Sequence, residues 1–205
     1  MVEFFFKHSS CVAVGTFNIY ILQPRLLADM GVFELDKERP TLVSGDLSQP
    51  GVRFDAADCV WTVRPDRLAV ESKIPSVDCG SLVAKTLGAL CWTPIMGVGI
   101  NASFTSKSKD VLPDSLRLPS HPDATQRTIH LAVPADGSTL NMQLSRAEDT
   151  MELSLNNHTE VTTWKENPQE SNLLVRQICD SFVDRRRAAV VFAKEVLNAE
   201  FSYDN

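Results

Sequence analysis

The segment from Gly97 to Ser103 has the residue pattern with the clearest potential for chemistry. Gly97, Gly99, Asn101 and Ser103 alternate with apolar residues, so on a β-strand they would share one face. Strand glycines permit close approach of a ligand or another backbone, while Asn and Ser offer hydrogen-bond donors and acceptors. The pattern is not GxGxxG, so it does not predict a phosphate loop. We interpret these residues as the candidate floor of a ligand pocket, with tight packing of a neighbouring element as the alternative.

A second candidate is the basic run Arg185, Arg186 and Arg187. Such a run can contact phosphate or an acidic partner, or it can form a solvated helix face that the nearby Asp180 and Asp184 partly neutralise. Three consecutive helical residues spread over about 200° of the helix surface, so they cannot all address one ligand. Arg185 falls near an apolar stripe, and a buried ion pair or a helix break there stays open.

Other chemistries have little support in the sequence. No two cysteines are spaced as CxxC, and the number of cysteines is odd, which disfavours a disulfide framework and a zinc site. Histidines in HxxxH, HExxH or HxH spacing and a GxSxG motif are missing from the sequence as well. We therefore predict no catalytic residues, no metal and no cofactor, and we expect reduced, mostly buried thiols. The five cysteines are Cys11, Cys59, Cys79, Cys91 and Cys179.

Charge and hydropathy narrow the class of protein. The 205 residues include 20 basic and 26 acidic side chains, and the net charge of −6 gives no overall attraction to nucleic acid or anionic lipid. No window contains the roughly 20 apolar residues of a membrane span. The apolar run Phe4–Phe6 is short and follows an acidic residue, unlike a secretory signal. We expect a cytoplasmic protein that does not enter a membrane.

The elements that would position these residues fall into two parts. In the first part, residues 12–22 read as a strand, and a hairpin over 59–71 turns at Pro65-Asp66. A helix follows, capped by Asp78 and stopped before Pro94, and leads into a strand over 95–104.

The second part begins after a connection over 106–125, which is rich in Pro, Ser and Lys. Alternating residues then predict a β-meander, with its strongest turn at Asp136-Gly137. The last helix opens with a capping box at Asn167-Pro168-Gln169-Glu170 and lacks Pro and Gly up to residue 199. Such a helix would be on the order of 48 Å long, so it would cross both parts, project beyond the sheet or break near Arg185.

These patterns predict an α+β fold with antiparallel sheets in two sequential β-plus-helix halves and a long C-terminal helix. The halves are residues 1–105 and 126–205, joined by residues 106–125 and packed as one body.

In layout the chain resembles a sporadically distributed family of uncharacterised bacterial α+β proteins, whose strand near GxxYxN is similar to Gly97–Asn101. The other matching pieces are Phe17–Ile21 and the hairpin from Trp61 to Val70. Ile100 stands where that family commonly has an aromatic residue. The resemblance implies an α+β fold and brings no settled activity.

Three hypotheses for function remain, and we lean towards a protein that is not an enzyme. The first is an interaction or scaffold subunit that binds a protein partner or itself through the long C-terminal helix. The second is a small-molecule binder or enzyme with a pocket over the Gly97–Ser103 face. The third, which the net charge disfavours, is a nucleic-acid accessory protein that uses Arg185–Arg187. The first hypothesis uses Arg185, Arg186, Arg187, Phe192 and Val196 as the interaction surface.

Overall fold

The structure is a computed structural model and describes residues 2–35, 43–46, 49–107, 128–135, 137–147, 150–162 and 165–203. Ten strands and four helices make up this described part. The strands are β1 (Glu3–Gly15), β2 (Val43–Asp46), β3 (Gln49–Ala56), β4 (Cys59–Arg64), β5 (Arg67–Ser72), β6 (Ile95–Ser106), β7 (Thr128–Ala135), β8 (Ser138–Ala147), β9 (Thr150–Glu160) and β10 (Glu200–Ser202). The helices are α1 (Pro24–Asp29), α2 (Cys79–Ala89), α3 (Pro168–Asp180) and α4 (Phe182–Leu197).

The strands form one sheet in the order β2-β3-β4-β5-β1-β6-β9-β8-β7. All neighbours in this series are antiparallel, and β10 alone runs parallel to its partner, the beginning of β1. The antiparallel α+β prediction is confirmed. Strands from both sides of the predicted connection belong to the same sheet because β6 pairs with β9. Only residues 106 and 107 of that connection are described, so residues 108–125 lie outside the described residues.

The helices cover one face of the sheet. Val98 and Ile100 of β6 belong to an apolar cluster with α1, α2 and α3, while Ala102 and Phe104 belong to a second cluster with α4. Since these four β6 residues alternate along one strand, both clusters lie on the same face. The opposite face is covered by none of the described helices, and we call it the open face.

A bulge in β1 allows this strand to contribute apolar side chains to both clusters. Its register with β6 shifts between Phe6 and His8. The extra residue returns Cys11 and Ala13 to the same face as Phe4 and Phe6, whereas simple alternation would put them on opposite faces. The bulge therefore determines which β1 residues reach the open face. β1 begins at Glu3 and ends at Gly15, so the strand predicted over 12–22 is wrong beyond residue 15.

The C-terminal helix is also corrected by the structure. Helix α3 does begin at the predicted cap, where Asn167 Oδ1 accepts a hydrogen bond from the Glu170 amide at 3.2 Å. In place of one continuous helix, however, α3 ends at Asp180 and α4 begins at Phe182. The Ser181 hydroxyl donates to the Ile178 carbonyl at 2.7 Å, and the fully buried Phe182 packs beside Gly80 of α2. Buried residues of α3 and of α4 both belong to the apolar clusters, so both helices lie on the sheet.

No helix among the described residues combines the length and the apolar character needed to cross a membrane.

Candidate functional site

The four residues predicted as a pocket floor lie on the open face of β6. Asn101 stands at a register position shared with Asn156 of β9 and Ser10 of β1, and Asn156 is paired in turn with Asn141 of β8. One line of polar side chains therefore crosses four adjacent strands. We call Asn141, Asn156, Asn101 and Ser10 the amide row.

Side-chain hydrogen bonds connect the amide row from end to end. Asn141 Nδ2 donates to Asn156 Oδ1 at 3.3 Å, and Asn156 Nδ2 donates to Asn101 Oδ1 at 2.6 Å. Asn101 Nδ2 then donates to the Ser10 hydroxyl oxygen at 3.1 Å. A carboxamide has two N–H donors and an oxygen with two lone pairs, so each central amide has used only half of its capacity within the row. The hydrogen bonds within the row fix the orientation of each central amide, and with it the direction of its second N–H and of the second lone pair on its oxygen.

The glycines next to the row make room for side chains of β9. A Cβ atom on Gly99 would lie 3.1 Å from Asn156 Nδ2, and one on Gly97 would lie 3.2 Å from His158 Cε1. Both separations are tighter than ordinary van der Waals contact. Gly97 and Gly99 therefore allow Asn156 and His158 to lie over β6. This is the tight packing of a neighbouring element that the glycine pattern indicated, and it occurs on the strand face that was interpreted as a pocket floor.

A cavity of about 390 Å³ opens at the end of this face. Its lining combines apolar side chains with charged and polar ones. We call it the β6–β9 cavity, and it is lined by Val14, Met96, Gly97, His158, Glu160, Val161, Thr162 and Lys165. Gly97 belongs to this cavity, while Asn101 lies four residues along the same strand face, so the cavity and the amide row are neighbours on β6.

Ser103, the last of the four predicted residues, lies beyond the amide row. It is paired with His8 of β1 and with Ser154 of β9. His8 Nε2 lies 3.9 Å from Glu71 Oε2, and both side chains are partly exposed. No hydrogen bond between described side chains connects Ser103 to the amide row, so its assignment to the site stays a prediction.

Two of the three arginines in the basic run hold α4 against the sheet. Arg185 Nε donates to the Ser181 hydroxyl at 2.9 Å. Its Nη1 donates to Asn157 Oδ1 at 3.0 Å and to Thr159 Oγ1 at 3.1 Å, both on the helix-covered face of β9. This is an internal polar contact beneath the helix layer. The acceptors are neutral, so this contact is not the buried ion pair left open at Arg185. The helix does break near Arg185, at Ser181, about one turn earlier.

Arg186 also points inward. Its Nη1 donates to the hydroxyl of the fully buried Ser9 at 3.0 Å, and its Nη2 donates to the Pro75 carbonyl at 2.8 Å. The guanidinium carbon lies 5.4 Å from the centre of the Phe182 ring. Arg186 therefore joins α4 to β1 and to the segment before α2.

The remaining predicted interaction residues differ in exposure. Arg187 is exposed, and its Nη1 lies 3.6 Å from Asp184 Oδ1. Phe192 and Val196 are half-buried and pack against the second apolar cluster. Phe192 and Val196 thus contact the protein's own core, and only the outer side of α4 faces solvent.

A further cavity, of about 490 Å³, lies where the chain leaves β1 and where it enters β6. Two exposed aromatic residues, Tyr20 and Trp92, stand at it. We call it the aromatic cleft, and it is lined by Thr16, Phe17, Asn18, Ile19, Tyr20, Ile21, Leu22, Leu90, Trp92, Thr93 and Pro94. The sequence pattern conceals this cleft because residues 17–22 alternate like a strand. The sequence feature that could have indicated the cleft is the presence of an aromatic residue, Tyr20 or Trp92, in each of two turn segments.

The thiols form contacts inside the first cluster. Cys11 Sγ and Cys179 Sγ are 3.7 Å apart, and the hydrogen bond between them together with burial raises the pKa of Cys11 well above its ordinary value. Contact with Cys79 lowers the pKa of Cys59, and the same contact together with burial raises the pKa of Cys79. Four of the five free thiols are buried and Cys91 is exposed, so the expectation of mostly buried thiols is confirmed. Within the described ranges, His, Cys, Asp and Glu side chains form no group of three or more that could hold a metal ion.

The chain matches no family model, and no curated protein is similar to it.

Proposed function

We propose that the protein is a non-enzymatic binding protein that takes a small, neutral, polar molecule on the open face of its sheet. The observation that supports this proposal is the unbroken series of side-chain hydrogen bonds in the amide row. The row stands beside the β6–β9 cavity, where a ligand can be partly enclosed.

The chemistry of the row indicates the class of ligand. Asn156 and Asn101 are uncharged, half-buried and held by each other, so their free N–H and C=O groups do not have to be ordered when a ligand arrives. A carboxamide offers a donor and an acceptor side by side, and its best complement is a group with the same pair reversed. Amides and nucleobases have this pairing. We therefore propose a neutral ligand with an amide or nucleobase edge.

The cavity complements the row. Val14 and Met96 provide apolar surface for the body of the ligand, while the polar edge lies towards Asn101. Gly99 lies between Gly97 of the cavity and Asn101 of the row on the same strand face, and the side chain over it is Asn156, which itself belongs to the row. The cavity volume lies within the range of about 300–1,000 Å³ that is common for small-molecule sites.

The test is a thermal-shift screen of the wild type with N-acetylglycinamide, N-acetylalaninamide and 5,6-dihydrouracil, which are neutral and have the amide edge but no aromatic ring. A probe at about 100 times its dissociation constant stabilises a protein by about 2.7 kcal/mol, which is about 5–10 °C for a chain of this size. Asn156→Leu should abolish the shift because it breaks the row at its centre. The matched control is Gln143→Leu, an exposed residue on the same face of β8 and outside the row, which should retain the shift.

Two outcomes would contradict the proposal. One is that no probe of these classes stabilises the wild type. The other is that Gln143→Leu loses the shift as completely as Asn156→Leu, because the effect would then belong to the whole face. Urea denaturation of both variants, without probe, establishes that each is folded before the comparison is made.

A second candidate function is binding of a protein partner, or of another copy, through the helix layer. The observation in its favour is exposed apolar surface: Val191 of α4 is 50% exposed, and Leu173 of α3 is 53% exposed.

The experiment needs a variant that changes the surface of α4 without disturbing the core. Deleting residues 188–205 would remove Ala193 and Leu197, which are buried in the core, so it would not test the surface alone. Val191→Asp is the better variant. Light scattering over a range of concentrations should give a mass above the monomer for the wild type and the monomer mass for Val191→Asp. A wild type that stays monomeric throughout contradicts self-association.

A further inference from the structure

The aromatic cleft is built from two loops that hydrogen bonds hold in place. The Thr16 amide donates to the Pro94 carbonyl at 3.0 Å, which joins one loop to the other. Within the first loop, the Tyr20 amide donates to Asn18 Oδ1 at 3.0 Å, and Gln23 Nε2 donates to the Ile19 carbonyl at 2.8 Å. Both walls are therefore ordered before any ligand binds, which lowers the entropic cost of binding.

The floor and the rim of the cleft differ in character. Phe17, Leu22 and Leu90 are at most 5% exposed and belong to the first apolar cluster, so the floor is the surface of the hydrophobic core. At the rim, Tyr20 is 82% exposed and Trp92 is 63% exposed. Most of these two rings lies outside the packed core. Exposed aromatic surface beside a concave apolar floor is a common property of binding sites.

The lining also restricts the charge of the ligand. Its eleven residues include no Asp, Glu, Lys, Arg or His. A charged ligand entering such a cleft would lose hydration without gaining an opposite charge, which is strongly unfavourable. The polar groups present are the hydroxyls of Thr16 and Thr93, the phenol of Tyr20, the amide of Asn18, the indole N–H of Trp92 and backbone atoms. These can bind a hydroxyl, carbonyl or ring N–H substituent of a neutral molecule.

We infer that the aromatic cleft is a second binding site, specific for an uncharged, planar aromatic small molecule. The faces of Trp92 and Tyr20 pack against its ring, because offset or edge contacts between aromatic rings contribute about 0.5–1.5 kcal/mol beyond the area they bury. The cavity of about 490 Å³ is large enough for a fused two-ring compound. The cleft shares no lining residue with the β6–β9 cavity, so this inference is independent of the function proposed above.

The experiment is a titration of the full chain, labelled with ¹⁵N, with indole and with 2-naphthol as neutral aromatic probes. We expect saturable shifts of backbone amide signals in residues 16–22 and 90–93. Indole-3-acetate, which has a carboxylate, and cyclohexanol, which has no aromatic ring, should each bind at least tenfold more weakly. Equal binding of the charged or the saturated compound would overturn the specificity, and the absence of saturable shifts with both aromatic probes would overturn the site.

Variants separate the cleft from other surfaces. Trp92→Ala and Tyr20→Ala should each weaken indole binding at least tenfold, and both should fold because the replaced rings are mainly in solvent. The matched control is Leu173→Ala, an apolar residue of comparable exposure on α3, which should bind indole like the wild type. Asn156→Leu should also retain indole binding. Loss of binding in Leu173→Ala or Asn156→Leu, or retention in both aromatic variants, contradicts the assignment.

Discussion

Replacing Arg186 by methionine tests whether the basic run is structural. Methionine keeps an apolar chain of similar length beside Phe182 but removes the two hydrogen bonds to Ser9 and to the Pro75 carbonyl. The neighbouring Arg187 is the matched control. It has the same side chain one position along α4, but its contact with Asp184 lies in solvent.

The magnitudes follow from these contacts. A hydrogen bond from a charged group contributes about 1.5–3 kcal/mol when it is well buried. Arg186 is only partly buried, so we take the lower end for each of its two bonds and expect a loss of about 3 kcal/mol. The Arg187 side chain is 72% exposed and that of Asp184 is 82% exposed, and an ion pair of this kind contributes less than about 1 kcal/mol. The two variants remove the same charge, so net charge cannot explain a difference between them.

Urea denaturation followed by circular dichroism measures the difference. The Arg186→Met midpoint should fall well below that of the wild type, and its melting temperature should fall by about 6–12 °C. Arg187→Met should melt within a few degrees of the wild type. Equal stability of the two variants would refute the conclusion that Arg186 joins α4 to β1.

Two further predictions concern the packing of α2 and the thiols. Gly80→Ala should destabilise the protein by about 3 kcal/mol or more, because the new Cβ would clash with the Cys179 carbonyl and with Phe182. Gly88→Ala in the same helix is the control. It should be neutral or stabilising by up to about 1 kcal/mol, because only the flexible end of Arg176 lies near the new Cβ. Ellman's reagent should label Cys91 rapidly in the native protein, and the four buried thiols only after unfolding in guanidinium.

The outcomes that contradict these two predictions are distinct. If Gly80→Ala and Gly88→Ala are equally stable, α2 does not pack on the junction of α3 and α4 as described. For the thiols, the raised pKa of Cys11 means that a moderate increase in pH leaves its thiol protonated. Alkaline buffer alone should therefore not make Cys11 react with Ellman's reagent. Rapid labelling of more than one thiol in the native state would refute the burial of the other four.

Local signals in the sequence predicted local structure well. The Asp78 carboxylate accepts a hydrogen bond from the Ser81 amide at 2.9 Å, as expected of an N-cap, and α2 begins at the next residue. The turn at Pro65-Asp66 joins β4 to β5, and Gly137, between β7 and β8, has a φ of 72°, which glycine adopts without strain. Each of these features is determined by a few neighbouring residues.

Features that depend on distant residues were not predictable in this way. The break at Ser181 depends on the packing of Phe182 beside Gly80, a residue about 100 positions earlier in the chain. Alternation did indicate that the meander has one polar face, and Asn141 and Asn156 lie on it. What alternation could not supply is the register that aligns them with Asn101, because that register is determined by pairing between strands far apart in sequence.

The position of β1 has a consequence for the order of folding. This strand includes Phe4 and Phe6 and lies in the middle of the sheet, yet Ser9 pairs with Ser72 and Ala102, and Glu3 pairs with Glu200. During synthesis, the strands that pair with β1 therefore emerge about 60 to 200 residues after it. Pairing over such separations is slow, and unpaired apolar strands are prone to aggregate in the meantime. Of the described strands, β1 is the first to be synthesised and is among the last to be fully paired.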